Sequence, residues 1–80
     1  MRLDKFLKVS RIIKRRTIAN EACDSGRVSV NGNIAKASYD VKVGDILELR
    51  FGEKITKFEV LEICEHVSKD AASELYRVIG

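Results

Sequence analysis

The spacing of hydrophobic residues at the start of the chain predicts a helix. Leu3, Phe6 and Leu7 recur at the three- and four-residue intervals that place side chains on one helix face. Asp4 falls in the first turn, where a negative charge suits the helix dipole. We therefore expect a first helix over about residues 3–9, with this apolar face turned toward a core.

A second apolar stripe predicts a second helix over about 18–25. The stripe consists of Ile18, Ala19, Ala22 and Cys23. Thr17 offers a hydroxyl that can act as the N-cap, and Gly26 stands where a left-handed C-terminal cap is wanted.

After residue 27 the hydrophobic period becomes alternating, which is typical of strands. Val28 and Val30 alternate with polar neighbours and lead into Asn31-Gly32, the strongest short hairpin signal. The return strand begins at Ile34. After a turn at Gly44-Asp45, a further strand is predicted over 46–51.

The last third follows neither period cleanly. We expect a strand, bulged in places, over 57–63, then a short helix capped by Ser68 and a final edge strand over 76–79. The predicted fold is α+β, with two N-terminal helices packed on a small, mostly antiparallel sheet. We expect a single domain over 1–80, in which about 52–80 form a short α/β extension.

Positive charge is concentrated at the start of the chain. The first sixteen residues carry seven basic side chains against one acid, so they hold +6 while the remainder holds −3 of the total +3. The basic residues are Arg2, Lys5, Lys8, Arg11, Lys14, Arg15 and Arg16. A field focused on one end attracts polyanions in a defined orientation.

These cations fall in two predicted positions. On an ideal helix of about 100° per residue, one flank of the first helix carries Arg2, Lys5, Lys8, Arg11 and Arg15. The run 14–16 stands at the N-terminus of the second helix, where positive charge opposes the helix dipole. A bound phosphate would offset that cost, because backbone N–H groups and guanidinium groups converge on an anion.

The remaining side chains argue against catalysis and against reading of single-stranded sequence. Phe6, Phe51 and Phe58 sit in apolar patterns and are expected in the core, and Tyr39 is interpreted as a surface residue in a loop. His66 has no evident partner, so the sequence predicts no enzyme, no metal and no cofactor. Recognition of the shape and phosphates of a folded RNA fits this composition better.

The two cysteines, Cys23 and Cys64, are too far apart for a metal-binding pair or a disulfide-rich scaffold. The N-terminus is charged from Arg2 onward, and no stretch reaches the length of a membrane span. We expect a cytoplasmic protein.

Two other interpretations remain open at this point. A basic run is often only a solvated face, although here none of the seven cations has an acid four residues after it. Two short helices joined by a turn can also resemble a DNA-binding helix-turn-helix. Against DNA, the second helix offers few base-reading side chains beyond Asn20 and Glu21.

The order of short motifs resembles the S4 RNA-binding domain family. The motifs are Arg2-Leu3-Asp4, Leu7, Ser10-Arg11, Ala19, Gly26-Arg27-Val28, Val30-Asn31-Gly32 and Gly44-Asp45. The opening residues, the 14–17 run and the length are most similar to small stand-alone members that act in ribosome quality control.

That resemblance implies a non-enzymatic RNA-binding factor, expected to be a monomer. Its expected partners are large-subunit rRNA, an obstructed peptidyl-tRNA and a protein that adds C-terminal alanines to the stalled chain; large-subunit recycling of the heat-shock type is the alternative. Arg2 and Arg16 fall where RNA contact is expected in the family. The full expected RNA-binding set is Arg2, Lys5, Lys8, Arg11, Lys14, Arg15, Arg16 and Arg27.

Overall fold

The computed structural model describes residues 1–80 and contains three helices and five strands. In chain order they are α1 (Leu3–Val9), α2 (Arg16–Asp24), β1 (Val28–Val30), β2 (Asn33–Ile34), β3 (Ile46–Phe51), β4 (Lys54–Val60), α3 (Lys69–Ala72) and β5 (Tyr76–Val78). The predicted α+β class is confirmed. None of the three helices combines the length and apolar character needed to cross a bilayer.

The strands form one sheet in the order β2-β1-β3-β4-β5, and every pairing is antiparallel. Alternation along the strands gives the sheet a buried inner face, whose residues include Val28, Val30, Leu47, Leu49, Phe58 and Val60. Leu3, Phe6 and Leu7 of α1 are fully buried in the same core. Full burial of such a side chain contributes about 1.5–3 kcal/mol, which fixes the position of α1.

The predicted hairpin turn between β1 and β2 is confirmed. Asn31 and Gly32 both have positive φ, at 52° and 88°, as a type I′ turn requires. The Asn31 side chain also ties this turn to the start of β3, since its Nδ2 donates to Asp45 at 3.1 Å and its Oδ1 accepts from the Ile46 N–H at 2.9 Å. Gly26, with φ of 77°, is the predicted left-handed residue after α2.

The segment 36–41 holds the N-terminus in place. The Leu3 N–H donates to the Tyr39 carbonyl at 2.8 Å, and the Asp4 N–H donates to the Ala37 carbonyl at 3.2 Å. Tyr39 is half-buried, not a free surface residue, and its hydroxyl donates to the Asp45 carboxylate at 3.0 Å. These backbone hydrogen bonds therefore help to fix the start of α1.

The predicted start of the second helix was wrong. α2 begins at Arg16, its N-cap residue is Arg15, and no side chain caps it. The Ala19 N–H donates to the Arg15 carbonyl at 3.0 Å, which leaves Thr17 exposed within the first turn. Ile13 is buried in the core, and this packing outweighs the local preference of threonine for the cap.

The predicted strand over 57–63 was displaced. β4 runs from Lys54 to Val60 and pairs with β3 in unbroken register, so it contains no bulge against β3. The cause is the tight turn at Gly52, where φ is 60°. Phe51 was also predicted in the core but is 44% exposed, because it is the last residue of β3.

The C-terminal elements agree with their predictions. Ser68 caps α3, its Oγ accepting from the Ala71 N–H at 3.2 Å. β5 pairs with β4 at the sheet edge, where the rings of Tyr76 and Phe58 meet edge to face with centroids 5.3 Å apart. Residues 52–80 thus continue the same sheet and contribute Leu75 to the core.

Candidate nucleic-acid interface

A buried carboxylate organises the basic N-terminal region. Asp4 is only 2% exposed. Its Oδ1 accepts hydrogen bonds from the Lys5 N–H at 2.8 Å and from Arg2 Nε at 3.2 Å. A second nitrogen of the Arg2 guanidinium donates to Oδ2 at 3.4 Å. The fork of Arg2 therefore meets both carboxylate oxygens, the arrangement that fixes a guanidinium most firmly.

The second helix supplies two more partners for the same carboxylate. Arg16 Nε lies 3.5 Å from Asp4 Oδ2, and Asn20 Nδ2 donates to this oxygen at 3.2 Å. Arg16 and Asn20 are one helical turn apart, so they share a face of α2. We call Arg2, Asp4, Arg16 and Asn20 the Asp4 cluster; it joins the start of α1 to the start of α2.

The Asp4 cluster carries net positive charge with its arginines turned outward. Burial favours a raised pKa for Asp4, but the hydrogen bonds from Arg2, Asn20 and Arg16 outweigh it and hold the pKa of this carboxyl below its usual value. Asp4 is therefore ionised at neutral pH, and the cluster is +1 overall. The side chains of Arg2 and Arg16 are 51% and 48% exposed. Their outer edges remain free to bind an anion.

The predicted cation cluster at the start of α2 is present. Arg16 is the first helical residue, Arg15 precedes it, and the first turn contains no acid. Arg15 and Lys14 are exposed and have no carboxylate within 4.0 Å. Asp4 of α1 is the carboxylate paired at this helix start, through Arg16 and Asn20, so Lys14 and Arg15 add unpaired positive charge where the helix dipole also favours a phosphate.

The single basic flank predicted for the first helix was wrong. The helix ends at Val9, and Arg11 lies beyond it with a positive φ of 63°. Arg15 belongs to the start of α2. The reason is again Ile13, which must enter the core four residues after the helix ends. Only Arg2, Lys5 and Lys8 keep their expected relation to α1.

The other predicted RNA-binding residues lie in separate places. Lys5 is paired with Glu65, its Nζ 3.2 Å from the carboxylate. Lys8, Arg11 and Lys14 line a cleft that is distinct from the Asp4 cluster. Arg27 lines a shallow depression near Ile18 and Phe51, at the far end of α2. Of the predicted set, Arg2 and Arg16 thus belong to the Asp4 cluster, Lys8, Arg11 and Lys14 to the cleft, and Arg27 to the far end of α2.

Sequence reasoning placed Asp4 in the first turn of α1 for its effect on the helix dipole but missed the role of Asn20. Asn20 was considered only as a base-reading residue for the DNA alternative. In the structure its amide is committed to Asp4, which weakens that alternative. The four-residue spacing from Arg16 was the one signal that could have placed both residues on a shared partner.

The thiols and the histidine do not form a metal site. No group of three or more histidine, cysteine, aspartate or glutamate side chains is arranged to hold a metal ion. Cys23 is buried, and burial with Asp4 and Asp24 nearby raises its pKa to about 11. Cys64 is half-buried and His66 is exposed.

The fold and the basic cluster agree with the result of a family comparison. The model of the S4 domain family matches residues 1–47, more than half of the chain. These residues include all of the Asp4 cluster. The chain belongs to the S4 domain family, and the resemblance read from the sequence motifs is confirmed.

Similar proteins narrow the comparison within that family. The chain is 59% identical over 78 residues to the RQC P-site tRNA stabilizing factor of Halalkalibacterium halodurans, covering 98% of this chain and 89% of the relative. It is 56% identical over 79 residues to the protein of the same name from Bacillus subtilis, with 99% and 92% covered. The crystallised Heat Shock Protein 15 of Vibrio cholerae, described as trimeric, superposes with a TM-score of 0.90 at 32% identity, covering 99% of this chain and 81% of that one.

Proposed function

We propose that this protein is a non-enzymatic, cytoplasmic factor that binds the large ribosomal subunit carrying an obstructed peptidyl-tRNA. It would contact rRNA and the P-site tRNA together and hold the tRNA during ribosome quality control. The observation that carries this proposal is the Asp4 cluster, in which two half-exposed arginines are held side by side on one buried carboxylate.

The geometry of the cluster suits a phosphate backbone. Each guanidinium contacts Asp4 through one edge, and its remaining N–H donors are free to bind an anion. Because the carboxylate fixes both heads in advance, little side-chain entropy is lost when an anion binds. With about five phosphates neutralised, the logarithm of the binding constant should fall with the logarithm of salt concentration with a slope of roughly −3 to −5.

Ribosome quality control is supported by the relatives. The bacterial proteins that are 59% and 56% identical to this chain over the aligned residues are both called RQC P-site tRNA stabilizing factors. We extend that role to this chain, with a partner protein that adds C-terminal alanines to the stalled polypeptide. The proposed RNA-binding residues are Arg2, Lys5, Lys8, Arg11, Lys14, Arg15, Arg16 and Arg27.

A second candidate function is the alternative that the family resemblance implies, rescue or recycling of large subunits without tailing. We keep it because the chain superposes on Heat Shock Protein 15 with a TM-score of 0.90. The two functions differ in what must be present for binding. A tailing factor should prefer subunits that carry peptidyl-tRNA together with the tailing protein, whereas a recycling factor needs no such protein.

Co-sedimentation with purified large subunits tests the proposal. Wild-type protein should pellet with subunits that carry peptidyl-tRNA, and Arg2→Ala and Arg16→Ala should weaken binding by roughly 1–3 kcal/mol, each lowering the salt slope by about one unit. Arg50→Ala is the matched control: it removes one exposed arginine from β3, where Arg50 alternates with the buried Leu49 and so points to the outer face of the sheet.

The outcomes separate the alternatives. Wild-type protein that stays in the supernatant at low salt would contradict the proposal. Equal losses for Arg16→Ala and Arg50→Ala would mean that net charge, not the Asp4 cluster, governs binding. We also propose a monomer, and sedimentation velocity on the free protein tests this, since the Vibrio relative is described as trimeric.

A further inference from the structure

A cleft separate from the Asp4 cluster gathers three cations. Lys8 from the end of α1, and Arg11 and Lys14 from the connection to α2, line one side of it. None of the three has a carboxylate oxygen within 4.0 Å. The one acid of the cleft, Glu65, is paired with Lys5 at 3.2 Å, so the lining as a whole carries net positive charge. A concave surface focuses the field of such charges more strongly than a convex one would.

The backbone at Arg11 is strained. Its φ is 63°, and the only other non-glycine residue with positive φ is Asn31, in a turn that asparagine tolerates well. Arginine has no such tolerance, because its Cβ crowds the following carbonyl in the left-handed region. Glycine would suit this backbone conformation better, so an arginine at this position carries a conformational cost. Strain of this kind is concentrated at functional sites.

The other side of the cleft comes from the chain before α3. Glu65, His66 and Val67 line it, with Val9 contributing from the end of α1. Two contacts hold this segment in place. Glu65 is paired with Lys5 at 3.2 Å, and the Cys64 thiol donates to the His66 carbonyl at 3.4 Å.

The two valines give the cleft an apolar part. Val9 and Val67 are half-buried and pack against the core, while the cations provide its polar rim. The cleft has a volume of about 390 Å³, which is in the range that holds a small ligand. An apolar patch within a cationic rim matches a nucleotide, whose sugar is less polar than its phosphate.

We propose that this cleft is a second RNA subsite, which binds a backbone phosphate through Lys8, Arg11 and Lys14 and seats the adjoining sugar against Val9 and Val67. The subsite rests on the proposed function, since the same RNA occupies it and the Asp4 cluster. Its second side, 65–67, lies outside the 1–47 that match the S4 domain model. The C-terminal segment thereby acquires a role in RNA binding.

The first test compares Arg11→Gly and Lys14→Ala with Lys69→Ala, measuring the salt dependence of binding to purified large subunits carrying peptidyl-tRNA. Lys69 is an exposed lysine of α3 without a carboxylate partner, so it is matched to Lys14 in charge. Each cleft variant should lower the salt slope by about 0.7–0.9 units, and Lys69→Ala should leave it unchanged. Arg11→Gly should also raise the urea midpoint of unfolding, because it relieves the backbone. A variant that is more stable yet binds RNA less well separates function from folding.

The second test addresses the C-terminal side. His66→Glu adds a carboxylate to the cleft and should weaken binding several-fold relative to His66→Gln, which changes the side chain without adding charge. Equal affinities for these two variants, or unchanged slopes for Arg11→Gly and Lys14→Ala, would overturn the subsite. If Arg16→Ala still weakens binding in that case, the proposed function survives. If the wild-type protein does not bind the subunits at all, the proposed function is contradicted, and the subsite with it.

Discussion

Asparagine at position 4 would test how far one carboxylate organises this protein. Asp4→Asn keeps the size of the side chain but removes the charge, and one of the two oxygens becomes an NH2 group. That group would face donors of Arg2, Arg16 or Asn20 in place of the acceptor they now share. The variant thus leaves donors unsatisfied at a site that is 2% exposed.

The cost can be worked from the contacts. Hydrogen bonds to a charged group contribute about 1.5–3 kcal/mol each, but both arginine side chains are about half exposed and can recover water. We therefore expect a loss of about 2 kcal/mol, close to the value of one fully buried contact. In a domain of this size, that loss corresponds to a fall in Tm of roughly 8–16 °C.

The stability lost in Asp4→Asn should decrease as pH falls. The pKa of Asp4 is lowered in the folded protein, so near pH 4 the unfolded chain binds more protons than the folded one. The stabilisation is present above the unfolded pKa of about 3.9 and is lost as pH falls through the folded value. Asp40 and Glu65 also have lowered pKa values, but both variants contain them, so their contributions cancel in the difference.

Urea unfolding of wild type and Asp4→Asn, followed by circular dichroism from about pH 7 to about pH 3, measures this difference. The gap should be largest at neutral pH and shrink in acid. A gap that is absent at pH 7, or constant across the range, would refute the reasoning.

The direction in which Asp4→Asn changes RNA affinity tests whether Asp4 positions the two arginines. Removing Asp4 raises the net charge, so charge alone predicts tighter binding. Loss of the support that aligns Arg2 and Arg16 predicts weaker binding. Weaker binding by a folded variant would therefore identify Asp4 as a positioning residue, and tighter binding would reject that role.

Three further variants or modifications have expected outcomes. Cys23 should resist iodoacetamide on the native protein at pH 8 while Cys64 reacts, because the pKa of about 11 for Cys23 leaves only about 0.1% of it as thiolate. Intact-mass spectrometry follows the reaction, and two adducts forming at the same rate would contradict this. Gly32→Val should lower stability to urea by about 1–2 kcal/mol, since φ is 88° there, and an unchanged midpoint would argue against the type I′ turn. Tyr39→Phe removes one of three hydrogen bonds to Asp45 and should cost about 0.5–1.5 kcal/mol in urea unfolding; no loss would mean that water replaces the hydroxyl.

Elements with a strong local signal were predictable from the sequence. α1 was predicted with its observed bounds, because Leu3, Phe6 and Leu7 alternate at helical spacing and all three are fully buried. The turn at Asn31-Gly32 was equally clear, since few residue pairs accept two positive φ angles. In these places local preference and tertiary packing agree.

Local signals failed where packing decided the outcome. Ile13 enters the core and moves the start of α2 to Arg16, so Thr17 loses its capping role. Phe51 resembles a core residue in its strand pattern, but nothing in that pattern shows that the strand ends there.

The positive charge of the candidate site was predictable from the sequence, but the arrangement of its side chains was not. The concentration of cations in the first sixteen residues was evident from the sequence. The sharing of Asp4 by Arg2, Arg16 and Asn20 required the packing of α1 on α2. The separation of Lys8, Arg11 and Lys14 into another cleft depended on a C-terminal segment that is distant in sequence.

Ultraviolet crosslinking of the wild-type protein to large subunits carrying peptidyl-tRNA tests the central claim most directly. Mass spectrometry identifies the crosslinked peptides, and sequencing identifies the RNA. We predict crosslinks within residues 1–27, to both the tRNA and the rRNA. Crosslinks confined to the outer face of the sheet, around Lys57 and Arg77, or no crosslinks at all, would contradict the account.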